Sequence, residues 1–289
     1  MTFSGMMTAL VTPFKDGALD ESSFRALVRR QLENGAQGLV PCGTTGEAPT
    51  LTRDEQLDLV RWTLEEASGA VPVMAGIGSN STARAIEMGL AVQGLGVQGV
   101  LGTAPYYNKP TQEGLFQHFR AISQALDVEV CLYDVPGRSV VHIAPATVAR
   151  LFELSNVTAL KDATGDLANA TDVRRRCGPD LALLSGDDFT SMAFLAQGGN
   201  GVISVASNVL PAAMRSMVDA AIEGQLDDAD ALNQRLFPLF RDLFLESNPI
   251  PVKAALAHLG LLEDGLRLPL TPMSEGLRSG LVSTLNELA

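Results

Sequence analysis

The sequence predicts a (β/α)8 TIM barrel followed by a C-terminal helical extension. Eight short apolar segments recur along roughly the first two hundred residues, and most are closed by Gly, Pro, Thr or Asp, as buried parallel strands are. Amphipathic stretches of helical length lie between these segments, so that a strand–helix unit returns eight times. A doubly wound open sheet is the second possibility, but no Gly-x-Gly-x-x-Gly turn follows the first strand.

The predicted strands share an aliphatic or β-branched interior, and most of them end in a turn residue. They are Met7–Pro13, Gly38–Gly43, Pro72–Gly78, Gly99–Ala104, Val128–Asp134, Val157–Lys161, Leu181–Gly186 and Gly201–Val205. Each is too short for a helix of ordinary length, and their near-continuous apolar character predicts burial on both faces.

Helices are predicted between the strands from apolar residues at helical spacing. They include Asp20–Asn34, Thr52–Ser68, Ser81–Leu95, Glu113–Leu126 and Pro145–Leu154. Two of them carry start signals: Thr52 and Glu55 have the spacing of a capping box, and Pro145 suits a first helical turn.

The strand pattern stops near Gly224. Three helices are predicted beyond it, over Gln225–Ser247, Pro249–Leu259 and Thr271–Leu288. Residues 1–224 are therefore predicted to form the catalytic barrel, and residues 225–289 a helical extension without a linker or a charge run in front of it.

Composition excludes several classes of function. A net charge of −12 disfavours nucleic acid as a partner, and no apolar stretch is long enough to cross a membrane. The first ten residues lack the basic segment and apolar core of a signal peptide. Three cysteines and three histidines are widely scattered, which predicts neither disulfides nor a metal site and favours a cytoplasmic location. No cofactor or metal is expected.

Lys161 is the most informative residue because it ends an apolar strand, Val157–Lys161. Burial disfavours the ammonium form of lysine, and a neutral amine is a nucleophile that forms Schiff bases with carbonyl substrates. An isolated strand lysine more often extends its amine to solvent. The neighbouring strand ends favour the catalytic interpretation.

Polar side chains stand at the ends of the other predicted strands. Thr44 and Thr45 lie in a glycine-flanked turn whose N–H groups suit a carboxylate, and Tyr133 ends an otherwise aliphatic strand. Arg138 follows a Pro-Gly turn and would place a cation near the pocket. Together with Lys161 they provide an amine, a tyrosine acid/base, hydroxyls for proton transfer and donors for carboxylates. A 2-oxo acid bound to such an amine can become an enamine and attack an aldehyde.

Seven motifs, in order along essentially the whole chain, resemble the dihydrodipicolinate synthase family. They are Gly43-Thr-Thr-Gly-Glu47, Tyr106-Tyr-Asn-Lys-Pro110, Tyr133-Asp-Val-Pro-Gly-Arg138, Lys161-Asp-Ala-Thr-Gly165, Leu184-Ser-Gly-Asp-Asp188, Gly201-Val-Ile-Ser204 and Asn248-Pro-Ile-Pro-Val-Lys253. The threonine turn and the lysine are shared with sister aldolases, including N-acetylneuraminate lyase. The arginine, the double tyrosine and the last motif are more particular to the synthase.

The resemblance implies condensation of pyruvate with L-aspartate 4-semialdehyde in lysine and diaminopimelate biosynthesis. It implies that Lys161 forms the Schiff base and that Tyr133 acts as acid/base, with Thr44 and Tyr107 completing a proton relay. The residues implied to bind substrate are Thr45 and the Ile203 backbone for pyruvate, Arg138 for the semialdehyde carboxylate, and Gly186.

The resemblance also implies a homotetramer, a dimer of tight dimers in which Tyr107 enters the neighbouring subunit's site. Asp134 stands where the family usually has asparagine, and strand alternation predicts that it points away from the face of Tyr133. At the family's lysine effector site, Arg84 replaces a typical glutamate and Gln56 a typical histidine. Weak or absent inhibition by lysine is therefore predicted.

Two other functions fit parts of the pattern. A related sugar-acid aldolase or lyase would use the same lysine, but its mouth should offer hydroxyl-matching side chains where this sequence has Arg138. A non-catalytic barrel would be expected to lose the lysine, the tyrosine or the threonines, and this sequence keeps them all.

Overall fold

The computed structural model describes residues 2–288 and confirms the predicted barrel. Its strands are β1 (Gly5–Ala9), β2 (Gly38–Val40), β3 (Met74–Gly76), β4 (Gly99–Thr103), β5 (Glu129–Asp134), β6 (Val157–Asp162), β7 (Ala182–Ser185) and β8 (Gly201–Ser204). All pair in parallel, in the order β2-β1-β8-β7-β6-β5-β4-β3. A parallel bridge between Leu39 and Val73 brings β2 beside β3 and closes the sheet.

Alternating side chains separate two apolar layers. Residues that point into the barrel form a compact inner cluster, which includes Met7, Ala9, Val40, Met74, Leu101, Cys131, Tyr133, Ala159, Leu184 and Ile203. Their neighbours, such as Met6, Leu132 and Leu160, point outward and pack against the helices. Strands buried on both faces explain why the sequence shows continuous apolar runs.

Helices follow the strands as the periodicity predicts. Before the extension they are α1 (Glu21–Glu33), α2 (Arg53–Ala67), α3 (Thr82–Gln93), α4 (Gln112–Ala125), α5 (Pro145–Phe152), α6 (Leu167–Cys177), α7 (Ser191–Ala196) and α8 (Pro211–Ile222). Thr52 and Glu55 form the predicted capping box at the start of α2, and Pro145 opens α5. These signals therefore fix where the helices begin.

The structure moves some predicted boundaries. β1 spans Gly5–Ala9 instead of Met7–Pro13, and the chain beyond it forms a hairpin of Phe14–Lys15 with Ala18–Leu19. Asp16 and Gly17 form its turn with φ of 50° and 80°, the conformation that Asp-Gly pairs favour in tight hairpins. A short helix, Pro136–Ser139, also follows β5, where the sequence pattern indicated only a turn.

Three helices form the C-terminal part of the chain as far as residue 288, the last one described. They are α9 (Leu226–Asp242), α10 (Ile250–His258) and α11 (Glu275–Leu288). Phe240 and Val252 belong to the same buried cluster as the outward-facing strand residues, so this part packs directly on the barrel. Residues 1 and 289, the outer limits of the two predicted regions, lie outside the described residues.

Candidate active site

Lys161 and Tyr133 lie side by side inside the barrel. They are register partners on β6 and β5, and both belong to the inner face of the sheet. The Lys161 side chain is only 6% exposed, and its Nζ lies 4.3 Å from the centre of the Tyr133 ring. No carboxylate among residues 2–288 lies within ion-pair distance of this amine. The lysine therefore sits in an apolar, aromatic setting without a counter-charge.

Gly186 makes room for the Lys161 side chain. A Cβ added at this glycine would lie 2.8 Å from Cε of Lys161 and 2.9 Å from Cβ of Ala163. Ile203, on β8, is buried in the inner cluster that also contains Tyr133. The predicted residues from β5, β6, β7 and β8 thus face one interior volume.

The turn after β2 holds the two predicted threonines. Its backbone is closed by hydrogen bonds from Gly46 to Gly43 (3.1 Å) and from Glu47 to Thr44 (3.1 Å). The backbone N–H groups of Thr44 and Thr45 have no acceptor within residues 2–288. Because unpaired N–H groups in a tight turn attract anions, this geometry suits a carboxylate.

Thr44 and Arg138 line a common cavity of about 200 Å³. Leu101 and Val135 belong both to this cavity and to the inner cluster, so the cavity opens over the barrel interior. Arg138 lies on the short helix after β5, is exposed, and donates from Nη2 to the Asn248 carbonyl at 2.9 Å. This neutral acceptor holds the guanidinium and leaves its charge available to an anion.

Tyr107 does not join the other predicted residues. Its side chain is 88% exposed, and its φ of 72° is unusual for a residue other than glycine. Tyr106, next to it, lines the cavity that contains Thr44 and Arg138. The chain therefore turns the first tyrosine of the pair toward the site and the second toward the surface.

Sequence reasoning missed two buried residues beside the threonine turn. The Asn248 side-chain amide donates to Thr45 Oγ1 at 2.9 Å. Lys253, on α10, donates from Nζ to the Glu47 carboxylate at 2.7 Å and to the Thr12 carbonyl at 2.8 Å. Both belong to the Asn248–Lys253 motif, which carried part of the family resemblance without suggesting any role. The presence of this motif among the family's characteristic segments was the one sequence feature that could have pointed to Asn248 and Lys253.

Asp134 points out of the barrel, away from the inner face that carries Tyr133, as alternation predicts. One of its oxygens lies 2.6 Å from His142 Nδ1, and the other accepts from the Ile143 N–H at 3.1 Å. Burial raises the pKa of Asp134 to about 6, against the opposing effect of His142. The unusual aspartate thus has partners on the outer layer.

Asp188 supports the strand that carries Ile203. Its Oδ2 accepts from the N–H groups of Val205 (3.0 Å) and Ala206 (2.8 Å), and burial raises the pKa of the carboxyl above its ordinary value. Asp187 instead accepts from the Thr190 hydroxyl at 2.7 Å in the same loop. Asp187 therefore organises the loop, while Asp188 fixes the end of β8.

Residues 2–288 contain neither a metal-binding cluster nor a membrane-spanning helix. They contain no group of three or more His, Cys, Asp and Glu side chains placed to hold a metal ion. No helix in the same range has both the length and the apolar character required to cross a membrane.

The chain forms a (β/α)8 barrel with a buried lysine and a tyrosine at neighbouring strand ends, the position at which barrel enzymes carry their active sites. Comparison with known proteins then identifies the family. The model of the dihydrodipicolinate synthetase family matches residues 2–288, and the chain belongs to this family. The resemblance carried by the seven sequence motifs is therefore confirmed, and the protein is an enzyme.

Three relatives show the extent of the similarity. The 4-hydroxy-tetrahydrodipicolinate synthase of Pelobacter propionicus is 47% identical over 283 residues, which cover 98% of this chain and 98% of that protein. The chloride-inhibited dihydrodipicolinate synthase of Acinetobacter baumannii, solved with pyruvate, has a TM-score of 0.97 and 42% identity over 99% of this chain and 98% of its own. A dihydrodipicolinate synthase variant described as monomeric has a TM-score of 0.98 and 44% identity, covering 99% and 97% of the two chains.

Proposed function

We propose that this enzyme condenses pyruvate with L-aspartate 4-semialdehyde to give 4-hydroxy-tetrahydrodipicolinate, with Lys161 as the covalent residue. The observation that carries the proposal is the unpaired, nearly buried amine of Lys161 beside Tyr133. The family membership and the curated relative named for this reaction support it.

The reaction begins when the Lys161 amine attacks C2 of pyruvate and the carbonyl oxygen leaves as water. The resulting iminium withdraws electrons, so that a methyl proton can leave and give an enamine. The enamine carbon attacks the aldehyde carbon, and the alkoxide formed takes up a proton. Finally the semialdehyde's own amine attacks the imine carbon, which closes the ring and releases Lys161. The balance is one water released for each product formed.

Tyr133 is assigned the proton transfers because its ring lies directly against the lysine amine. Thr44 and Tyr107 complete the relay in this proposal. The pyruvate carboxylate binds the free N–H groups and hydroxyl of the threonine turn, with Thr45 as the side-chain donor and the Ile203 backbone on the opposite side. Gly186 leaves the lysine room to move between free and covalent forms.

Arg138 is assigned to the semialdehyde carboxylate. It lines the cavity that contains Thr44, and no carboxylate among residues 2–288 forms an ion pair with it. In a chain with net charge −12, a free guanidinium at the mouth gives an anionic substrate a local partner. A sugar-acid aldolase would instead need hydroxyl-matching side chains at this place.

Reductive trapping tests the proposal. Incubation with pyruvate and borohydride should add a reduced pyruvyl group to one peptide, the one that contains Lys161. Lys109 and Lys253 are internal controls, because the first is exposed and the second is paired with Glu47. A label on either of them, or no label at all, would contradict the mechanism. Turnover of pyruvate with the semialdehyde, compared with cleavage of N-acetylneuraminate and ketodeoxy acids, separates the synthase from its sister aldolases.

The same proposal includes a homotetramer, a dimer of tight dimers, in which Tyr107 enters a neighbouring subunit's site. The exposure of this tyrosine and its positive φ support a role outside its own subunit. Sedimentation at assay concentration measures the assembly, and a fully active monomer would disprove it. Mixing Tyr107→Phe with Thr44→Val subunits should restore part of the activity if the site is shared.

A cytoplasmic location completes the proposal. Cys42, Cys131 and Cys177 are free thiols, and burial raises the pKa of both Cys42 and Cys131 to about 12. Unpaired thiols of this kind are typical of proteins in reducing compartments. Fractionation of cells that express the full chain, followed by immunodetection, tests the location.

A further inference from the structure

The Asn248–Lys253 motif contacts the threonine turn at both ends. Asn248, only 6% exposed, donates to Thr45 Oγ1 at 2.9 Å, and Lys253 donates to Glu47 at 2.7 Å. Thr45 and Glu47 lie two residues apart in the same turn. The C-terminal extension thus makes two polar contacts with the turn that would bind the pyruvate carboxylate.

The contact between Lys253 and Glu47 is a buried ion pair. Both side chains are fully shielded from solvent, and the lysine Nζ also lies 4.4 Å from the centre of the Phe14 ring. Glu47 adopts a φ of 56° and accepts a second hydrogen bond from the Arg267 backbone N–H at 3.2 Å. A charge buried here has little freedom to move, because any shift would leave its partner uncompensated. The start of α10 is therefore fixed relative to the turn.

The Asn248 end decides where the Thr45 hydroxyl can point. A threonine hydroxyl has one hydrogen to donate and two lone pairs to accept with. The asparagine amide occupies a lone pair, so the hydroxyl hydrogen must be directed to a different acceptor. A substrate carboxylate at the free N–H groups of Thr44 and Thr45 supplies such an acceptor.

Asn248 also holds Arg138, but through a different atom. The guanidinium donates to the Asn248 backbone carbonyl at 2.9 Å, whereas Thr45 contacts the side chain. A substitution of the Asn248 side chain leaves the carbonyl in place. The two contacts can therefore be separated by experiment.

We infer that Asn248 is a positioning residue that directs the Thr45 hydroxyl toward the pyruvate carboxylate. The inference rests on the proposed function, because it takes Thr45 to be a pyruvate donor. Asn248 touches neither reacting carbon in this scheme. It acts through Thr45, and the Lys253–Glu47 ion pair keeps it in place.

Steady-state kinetics of Asn248→Ala test the inference. The KM for pyruvate should rise about tenfold, the scale of one hydrogen bond between neutral groups at a binding site. The kcat and the KM for the semialdehyde should each change less than about threefold, because the backbone contact to Arg138 remains. Asn233→Ala, on α9 in the same extension, is the matched control and should leave both KM values unchanged.

A double-mutant cycle with Thr45 separates positioning from general loosening of the site. In a Thr45→Val background, where no hydroxyl remains, Asn248→Ala should raise the pyruvate KM less than about twofold further. In a Thr45→Ser background, which retains a hydroxyl, the full effect should persist. Equal rises in both KM values, or effects that add fully in the valine background, would overturn the inference.

Two measurements keep the result interpretable. If Asn248→Ala does not fold, the isosteric Asn248→Asp replaces the donor by an acceptor, and its pyruvate KM should rise by more than tenfold; an unchanged pyruvate KM would overturn the inference. Borohydride trapping of the unmodified enzyme with pyruvate is run in parallel. Absence of the Lys161 adduct would count against the proposed function itself. An adduct with unchanged half-saturating pyruvate in the variant would count against the role of Asn248 alone.

Discussion

Two lysines are buried within residues 2–288, and their surroundings differ in one decisive respect. Lys253 is fully buried and donates to the Glu47 carboxylate at 2.7 Å, whereas Lys161 is 6% exposed and has an aromatic ring as its neighbour. Burial lowers the pKa of Lys253, and the Glu47 charge opposes that change and favours the ammonium. Burial alone therefore does not mark a nucleophile. In the proposed mechanism the nucleophile is instead the strand-end amine of Lys161, which has no carboxylate partner among residues 2–288 and lies beside Tyr133.

The largest expected effect comes from removing the unpaired amine. Lys161→Met keeps the length and apolar stem of the side chain, so the fold should be retained and the free energy of unfolding should be unchanged or higher. Activity with pyruvate and the semialdehyde should fall by roughly a thousandfold or more, because the proposed covalent step requires this amine. Initial rates and urea unfolding measure the two quantities. Lys15→Met, at an exposed ion pair, is the control and should change neither.

Removing the paired lysine should destabilise the fold, unlike removal of Lys161. Lys253→Met leaves the Glu47 carboxylate buried without its main counter-charge, which costs about 3–5 kcal/mol in comparable buried pairs. The free energy of unfolding should fall by that amount.

Replacement of both partners, Lys253→Met with Glu47→Leu, should recover most of the stability, since a well-packed apolar pair is often as stable as a buried ion pair. The double variant should nevertheless show a raised pyruvate KM if the pair holds Asn248 in place. Equal destabilisation by Lys161→Met and Lys253→Met would mean that pairing does not distinguish the two lysines.

The sequence predicted the barrel and most strand-end residues because both depend on local patterns. Apolar runs and helix start signals lie within a few residues of the elements that they define, and parallel strands bring their ends together. The pairing of Tyr133 with Lys161 could not be predicted in this way, because it depends on a register shift between Val130 and Cys131. No local pattern encodes that shift.

The contacts of the C-terminal motif could not be predicted for a related reason. Asn248 and Thr45 are 203 residues apart, and Lys253 and Glu47 are 206 residues apart. Which loop the extension covers depends on how its helices pack on the whole barrel. The family resemblance marked the motif as characteristic, but only the three-dimensional structure shows what it touches.

Asp134 extends the comparison to a buried acid whose partner is partly exposed. Its pKa rises from 3.8 to about 6 on folding, mainly through burial. Because the folded protein holds this proton more tightly than the unfolded chain, the associated stability is present below pH about 4 and is lost as the pH rises through about 6.

Asp134→Asn should remove that loss, raising the free energy of unfolding at pH 7 relative to pH 5 by about 1 kcal/mol compared with the unmodified enzyme. Chemical denaturation at the two pH values measures the difference. Identical pH dependence in both proteins would show that His142 fully compensates the buried charge.

The smallest expected effect concerns free lysine, whose ammonium needs the kind of partner that Glu47 gives Lys253. The cavity of about 400 Å³ that contains the predicted effector positions is lined by Arg53, Gln56 and Arg84. Its acidic residue, Glu87, lies 3.7 Å from Arg53 and is already matched with a cation.

An arginine in place of a glutamate changes the local charge by two units, and each unit interaction at about 4 Å is worth roughly 1–4 kcal/mol. Affinity for lysine should therefore be more than tenfold weaker than with a glutamate at this position. Initial rates at saturating pyruvate should barely change with millimolar lysine. Arg84→Glu should make the enzyme sensitive to lysine. The neutral control Arg84→Gln should produce weaker inhibition than Arg84→Glu. Strong inhibition of the unmodified enzyme by sub-millimolar lysine would show that other residues neutralise the ammonium.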